Sequence, residues 1–310
     1  LDQFPELCRW ANRGEVAPDA HPGSPALGEI LRATFATGCD AALLERHGAV
    51  TCGNDLHQAF CRLDVLEHLA KIQLAATRLG PRRALGDEQM REARRRLVGR
   101  WDEMAVEPQS QAEARARLLD VIHRAHDRGL LCAQGGAFSS RCGAGFLVEP
   151  DGADHGTITA AELVYVEGER CETGKIPDAT SPLHRALYQA HAHLQAIATA
   201  LPPCLMAFAA TNLVLDTRML TEPTMLLGPM PRVPFSARFE PAQLVAALSP
   251  KARVALIANA CFVATGDSPF TVLDRLEVAE FAARSVLGAT TIGRPVPMSD
   301  ATLAGIATLY

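Results

Sequence analysis

The chain has 310 residues, 48% apolar and 21% charged, a composition able to bury one or two sizeable cores. Thirty basic residues against 35 acidic ones leave a net charge of −5 with no large block of either sign, which removes the electrostatic case for a nucleic-acid binder. The most apolar stretch, around 196–215, is interrupted by Pro202 and Pro203, so no membrane span is expected.

In chain order, the first strong signal is a short apolar run over 41–44, read as a buried strand, with a second short run ending at Gly53. A long amphipathic helix is predicted over about 56–77, closed by Gly80 in a C-cap position. A charged helix follows around 90–103. Its arginines Arg91, Arg94, Arg95, Arg96 and Arg100 are interleaved with Glu92, Asp102 and Glu103, which reads as a solvated or inter-domain face. Next come a helix near 112–128, a glycine-rich turn at Gly135 and Gly136, a strand over FLVEP and a helix around 182–196. The last third repeats the opening grammar: a strand over 254–257, a run ending at Gly266 and a helix over about 271–290.

That repetition is visible residue by residue. Shifting the chain by 213 positions aligns 41–80 with 254–293 without a gap, and 13 of the 40 pairs are identical. They include Gly53/Gly266, Arg62/Arg275, Leu63/Leu276, Glu67/Glu280, Ala70/Ala283 and Gly80/Gly293. The pattern implies a duplicated unit. Residues 1–89 then form the C-terminal half of a first unit, 90–111 a charged linker helix, and 112–310 a complete second unit. With this period the first unit would begin roughly a hundred residues before Leu1. Nine cysteines, an odd number without a CxxC pair, fit a reduced, cytoplasmic chain.

The segment LLERHGAVTCGNDLHQAF…LEHLAKI resembles the class II aldolase/adducin family, as do LLCAQGGAFSSRCGAGFLVEPDG and DATSPLHRALYQAHAHLQAIATALPP in the second unit. Resemblance of one grade or another runs over nearly all of 23–310 outside the linker. It implies an α/β fold, a three-layer α/β/α domain with a mostly antiparallel mixed sheet, tandemly repeated. It also implies a divalent metal, zinc above all, held by three histidines, the third being that of a His-Gly pair. Here that residue is His47.

The second unit departs from the family at each chemical position. The catalytic glutamate falls on Thr180, the two histidines of the His-x-His pair on Thr199 and Leu201, the third on Ala260, and the asparagine of the glycine-rich turn on Ala137. Threonine, leucine and alanine offer no set of lone pairs converging at about 2 Å on a metal. Position 180 offers no general base. The second unit is therefore expected to be catalytically dead. The first unit keeps His47, while its other expected ligands would precede Leu1.

Simpler roles stand beside each candidate. His47 is either a metal ligand or a hydrogen-bonded histidine of a strand-end turn. His184, on a helix, reads as packing support. His123 and His126, three apart on a helix, read as an exposed polar face. His191 and His193 would point to different sides of a helix. Ser139 and Arg141 stand where relatives bind anionic groups and read as a remnant of that turn. Cys52 and Cys61 read as small apolar packing.

Together these imply a metal-dependent lyase that cleaves a C–C bond, retro-aldol fashion, in a small hydroxy-carbonyl or sugar-phosphate-like substrate. The chemistry would lie in the first unit alone, with the second unit structural. By resemblance, two chains would form a homodimer closing a pseudo-tetrameric ring of four units, with a small-molecule substrate and no nucleic-acid or membrane partner. A non-catalytic assembly protein, as adducin is, is the alternative. A metal-dependent decarboxylase or oxygenase-like variant is a third reading.

Overall fold

The structure is a computed structural model describing residue 4 and residues 14–96, 101–106 and 111–307, with the side chains at 94–96 and 307 outside the description. The N-terminal part runs β1 (Gly14–Ala17), α1 (Pro25–Phe35), β2 (Ala41–Leu44), β3 (Gly48–Thr51) and α2 (Leu56–Thr77). A connecting helix α3 (Asp87–Arg96) and strand β4 (Asp102–Met104) precede α4 (Ala112–Asp127), β5 (Ala137–Cys142), β6 (Gly145–Val148), β7 (Val164–Glu167) and β8 (Arg170–Glu172). Then come α5 (Ser181–Ala190), β9 (Ala196–Ala200), α6 (Pro203–Ala209), α7 (Thr221–Leu227), β10 (Arg232–Val233) and α8 (Ala242–Ala247). The chain closes with β11 (Val254–Ile257), β12 (Phe262–Gly266), α9 (Pro269–Ala289) and α10 (Asp300–Ala307).

Among the described residues the strands form two sheets, β1-β2-β3 and the nine-stranded β10-β11-β12-β9-β5-β6-β7-β8-β4. The large sheet is mixed and mostly antiparallel, with parallel pairs only at its ends, β10 with β11 and β4 with β8. Strands β6, β9, β11 and β12 are buried along their whole length, as expected where both faces are covered. Helices α4 and α9 pack across β5 and its neighbours. Helix α5 lies over the face to which Ser139 and Thr199 point. The expected three-layer α/β/α arrangement is the observed one.

The two aligned segments share element order and pairing. In each, a strand pairs parallel with the first strand of a hairpin, β1 with β2 and β10 with β11, and a long helix follows the hairpin. Several identities have a shared physical cause. Arg62 donates to the carbonyl of Cys52 and Arg275 to that of Thr265, the same contact 213 residues apart. A Cβ on Gly53 would meet the amide nitrogen of Ala59 at 2.7 Å, and one on Gly266 would meet Val272, the aligned residue, at 2.9 Å. Asp55 and Ser268 cap the two long helices by accepting from Gln58 N and Thr271 N. The two hairpin turns are closed by Arg46 (φ 65°) and Asn259 (φ 54°), the only non-glycine residues with positive φ among those described.

Three expectations need correction. Gly80 is not the C-cap of α2, because the helix ends at Thr77 and Arg78 takes that position, its amide donating back to the carbonyls of Ala75 and Ala76. The charged helix placed around 90–103 within the linker 90–111 is helical only as α3. After residues 97–100, which lie outside the described residues, Asp102–Met104 is a strand paired parallel with Arg170–Glu172, and Trp101 is stacked under Arg185. The open edge of β8 offers unpaired backbone groups, and this segment takes them. Of the arginine run, Arg91 is exposed, and Arg100 lies outside the described residues. The helix expected over 182–196 ends at Ala190, because His191 leaves helical geometry (φ −126°, ψ 84°). Residues 196–200 are instead a strand between β5 and β12.

The two long helices α2 and α9 meet at α6, a seven-residue helix packed against both. Pro202 and Pro203 open it, and Glu280 of α9 caps it by accepting from Cys204 N (2.9 Å) and Leu205 N (2.8 Å). The aligned Glu67 instead makes an exposed ion pair with Lys71. Identical residues should therefore differ in worth. Glu280→Ala is expected to lower stability by about 1–3 kcal/mol through two stranded amides, and Glu67→Ala by about 0.5 kcal/mol or less. Urea denaturation of the two variants checks this.

Candidate functional site

The positions that carry chemistry in the resemblance come together at one end of the large sheet. The antiparallel register sets Ala137 of β5 opposite Thr199 of β9, Thr180 is the N-cap residue of α5, and Ala260 sits in the β11–β12 turn after Asn259. Thr199 Oγ1 accepts from Ala137 N (3.1 Å) and lies 3.1 Å from Thr180 Oγ1 and 3.2 Å from His184 Nε2. His184 Nδ1 lies 2.7 Å from Ser139 Oγ, which lies 2.9 Å from the Tyr188 hydroxyl. Thr180, Thr199, Leu201, Ala260, His184 and Ser139 are all buried.

This is a closed network of hydroxyls around one imidazole. Burial, with Arg238 adding to it, pushes the His184 pKa down to about 3, so the ring is neutral and both its nitrogens are occupied. The adjoining carboxylates are committed as well. Glu149 accepts from Phe138 N at 3.0 and 2.9 Å, and burial raises its pKa well above the carboxylate range. Asp178 accepts from the amide and hydroxyl of Thr180. Arg141 donates to the carbonyls of Leu194 and Tyr188 and stacks on the Tyr188 ring. Neither Ser139 nor Arg141 is therefore presented to a ligand. A three-histidine metal does not fit here, since the donor positions are Thr, Leu and Ala.

The first unit also lies over this end of the second. Asp64 of α2 accepts from Ala133 N (2.5 Å), and His68 of α2 is bonded to the carbonyl of Leu201 (2.6 Å). The connecting segment reaches the β11–β12 turn, where Asn259 Nδ2 donates to the carbonyl of Arg83 (2.8 Å).

His47 follows Arg46 in the β2–β3 turn. Its Nε2 lies 2.7 Å from the carbonyl of Ala20 and 3.3 Å from an Asp19 carboxylate oxygen, and Arg46 pairs with the same carboxylate. Among the described residues, no cluster of three His, Cys, Asp or Glu donors includes it. One such cluster does exist elsewhere, formed by His57 and Cys61 of α2 and Asp154 of the loop after β6. Sequence reading treated Cys61 as packing. The His-x-x-x-Cys spacing on one helix face was the available signal, but nothing local pointed to Asp154.

His123 and His126 are half-buried rather than exposed. His123 is bonded to the carbonyl of Ile158 (3.0 Å), and the His126 ring approaches Gly156, so both tie α4 to the 154–158 loop. His191 and His193 lie beyond α5, ring to ring at 5.9 Å.

A pH signature follows from His184. Its pKa is about 3 in the fold against 6.5 ordinarily, so between these values the unfolded chain binds the extra proton. Stability is lost as pH falls through that window, by about 1.4 kcal/mol per unit for this group. Denaturant midpoints between about pH 6.5 and 4.5 should fall less steeply with acid in His184→Gln, by about one proton; parallel profiles would contradict the buried neutral ring.

None of the curated proteins matches the chain. Solved structures do. YgbL from Klebsiella pneumoniae, described as a putative aldolase/epimerase/decarboxylase, is 25% identical with a TM-score of 0.53, covering 60% of this chain and 93% of that one. An L-fuculose 1-phosphate aldolase is 17% identical with a TM-score of 0.56, covering 63% and 95%. The L-fuculose-1-phosphate aldolase from Thermus thermophilus is 22% identical with a TM-score of 0.53, covering 60% and 100%. The class II aldolase and adducin N-terminal domain matches residues 3–74 and 116–287. With most of its length matched in this way, the chain belongs to the class II aldolase/adducin family.

Proposed function

We propose that this protein is an aldolase-type lyase in which the second unit is structural and the first carries the chemistry. That chemistry is retro-aldol cleavage of a small hydroxy-carbonyl or sugar-phosphate-like substrate. The observation that carries the division of labour is the network at Thr180 and Thr199. It fills the second unit's ancestral site with bonded hydroxyls and leaves neither a metal donor set nor a free general base.

Support for the first unit is its turn. His47 stands between a positive-φ residue and Gly48, and Asp19 and the Ala20 carbonyl hold its imidazole. Such outer partners orient metal-binding histidines. The reading assigns His47 to a divalent metal, zinc by family habit, and needs further donors that the described residues do not provide. No step is derived through that metal. Two chains as a homodimer would give four units in a pseudo-tetrameric ring. The eight described cysteines are all free, which supports a reducing, cytoplasmic setting. No described helix is long and apolar enough to cross a membrane.

A second reading, a non-catalytic assembly protein, is favoured by the way α2 and the connecting segment lie over the second unit's old site. Metal analysis joined to a C–C cleavage assay on hydroxy-carbonyl and sugar-phosphate substrates separates the two. In a lyase, His47→Ala removes one metal equivalent and lowers activity roughly a hundredfold or more, since even outer-shell partners are worth about 10–100-fold. Thr180→Val should leave activity within about twofold, as a substitution remote from the reacting centre. Absence of cleavage together with an unchanged metal content in His47→Ala would leave the assembly reading.

A further inference from the structure

We propose that His57, Cys61 and Asp154 form a divalent-metal site of the zinc class that fastens helix α2 of the first unit to the 154–158 loop of the second. The site is separate from His47 and from the network at Thr199, and it does not depend on the lyase reading.

Three donors of different chemistry converge on one point. His57 and Cys61 are four apart on α2 and so share a face. Cys61 Sγ lies 3.6 Å from His57 Nε2. His57 Nε2 lies 3.8 Å from Asp154 Oδ2, and all three donor atoms fall within 4.8 Å of one another. A tetrahedral zinc with bonds of about 2.0–2.3 Å separates its ligand atoms by roughly 3.3–3.8 Å, which the two measured spacings match.

The carboxylate is also oriented from behind. Asp154 Oδ1 accepts from Gly156 N (3.0 Å) and Oδ2 from the Thr157 hydroxyl (2.9 Å), the outer-shell support that metal-binding carboxylates have. Burial differs usefully along the set, with Cys61 and Asp154 inside and His57 exposed. A fourth position can therefore face water. A thiolate, a carboxylate and a neutral imidazole together balance a 2+ ion, and a mixed sulfur and nitrogen set selects zinc over magnesium or calcium. On binding, the thiol proton passes to solvent.

The same helix already reaches the second unit through Asp64 and His68, so a metal here adds a third tie at the N-terminal end of α2. Burial and the neighbouring Asp154 carboxylate raise the Cys61 thiol pKa to about 11 in the metal-free fold. A bound dication would reverse that effect.

The test is a titration of the chelator-treated full chain with cobalt(II), followed by zinc competition. It uses the wild type, Cys61→Ser, His57→Ala, Asp154→Asn, Thr157→Val and His47→Ala, each checked for folding by circular dichroism. The expected result is one thiolate-bound cobalt per chain, counted by its charge-transfer band apart from any ion at His47, that zinc displaces. Cys61→Ser abolishes the band. His57→Ala, at an exposed position, and Asp154→Asn weaken zinc binding at least about tenfold, and Thr157→Val by about 10–100-fold. His47→Ala leaves all of this unchanged. Absence of a saturable band in the wild type, its persistence in Cys61→Ser, or unaltered affinity in His57→Ala overturns the proposal. So does loss of the band in His47→Ala, which would assign the ion to the first-unit turn.

Discussion

The architecture depends on how one short helix is held. Residues 203–209 begin at the second of two prolines and span barely two turns, too few to satisfy their own first amides or to be stable alone. Glu280 supplies the missing acceptors for Cys204 and Leu205, and α2 and α9 close on the helix from the two units. Burial pushes the Glu280 carboxyl pKa up, and the two donated N–H bonds pull it back. Because β9 runs directly into this helix, and the Leu201 carbonyl is tied to His68, the same contacts position the end of that strand.

Buried polar groups at this end of the sheet need partners. Removing a metal and leaving its histidines buried would strand several donors at once, each at a cost of about 1–3 kcal/mol. Here the residues bond one another or are apolar. Thr199 bonds Thr180, His184 and the Ala137 backbone, while Ala260 and Leu201 are apolar and packed. A buried polar cluster with its bonds made is rigid and inexpensive, which accounts for a well-formed domain without a donor set. Glu149 completes this end of the sheet by bonding the Phe138 amide rather than by carrying a catalytic charge.

The internal similarity of 41–80 and 254–293 was legible because several of its identities are backbone constraints. Gly53 and Gly266 are places where a Cβ would collide with the following helix, and Arg62 and Arg275 each satisfy a hairpin carbonyl. Arg46 and Asn259 share an unusual conformation without sharing identity, so that correspondence appears only in dihedral angles. Glu67 and Glu280 are the converse, identical in sequence and unlike in surroundings. One is an exposed partner of Lys71 and the other a buried cap.

Periodicity in the chain was sufficient for both long helices and the short strands before them, because each depends on neighbours fewer than about five residues away, while the fold class came with the family resemblance. That Leu201 and Ala260 could not ligate was equally plain, since a side chain without lone pairs cannot do so in any tertiary setting. What needed the folded chain was everything set by distant partners. Asp102–Met104 became a strand because β8 had an open edge, and the helix after Ser181 stopped short because 196–200 completes the sheet. His123 and His126 turned inward to a loop that no spacing announces. Asp154 meets His57 and Cys61 from a distant part of the chain. Sequence patterns record which residues share a face; only the closing of one unit on the other decides what that face meets.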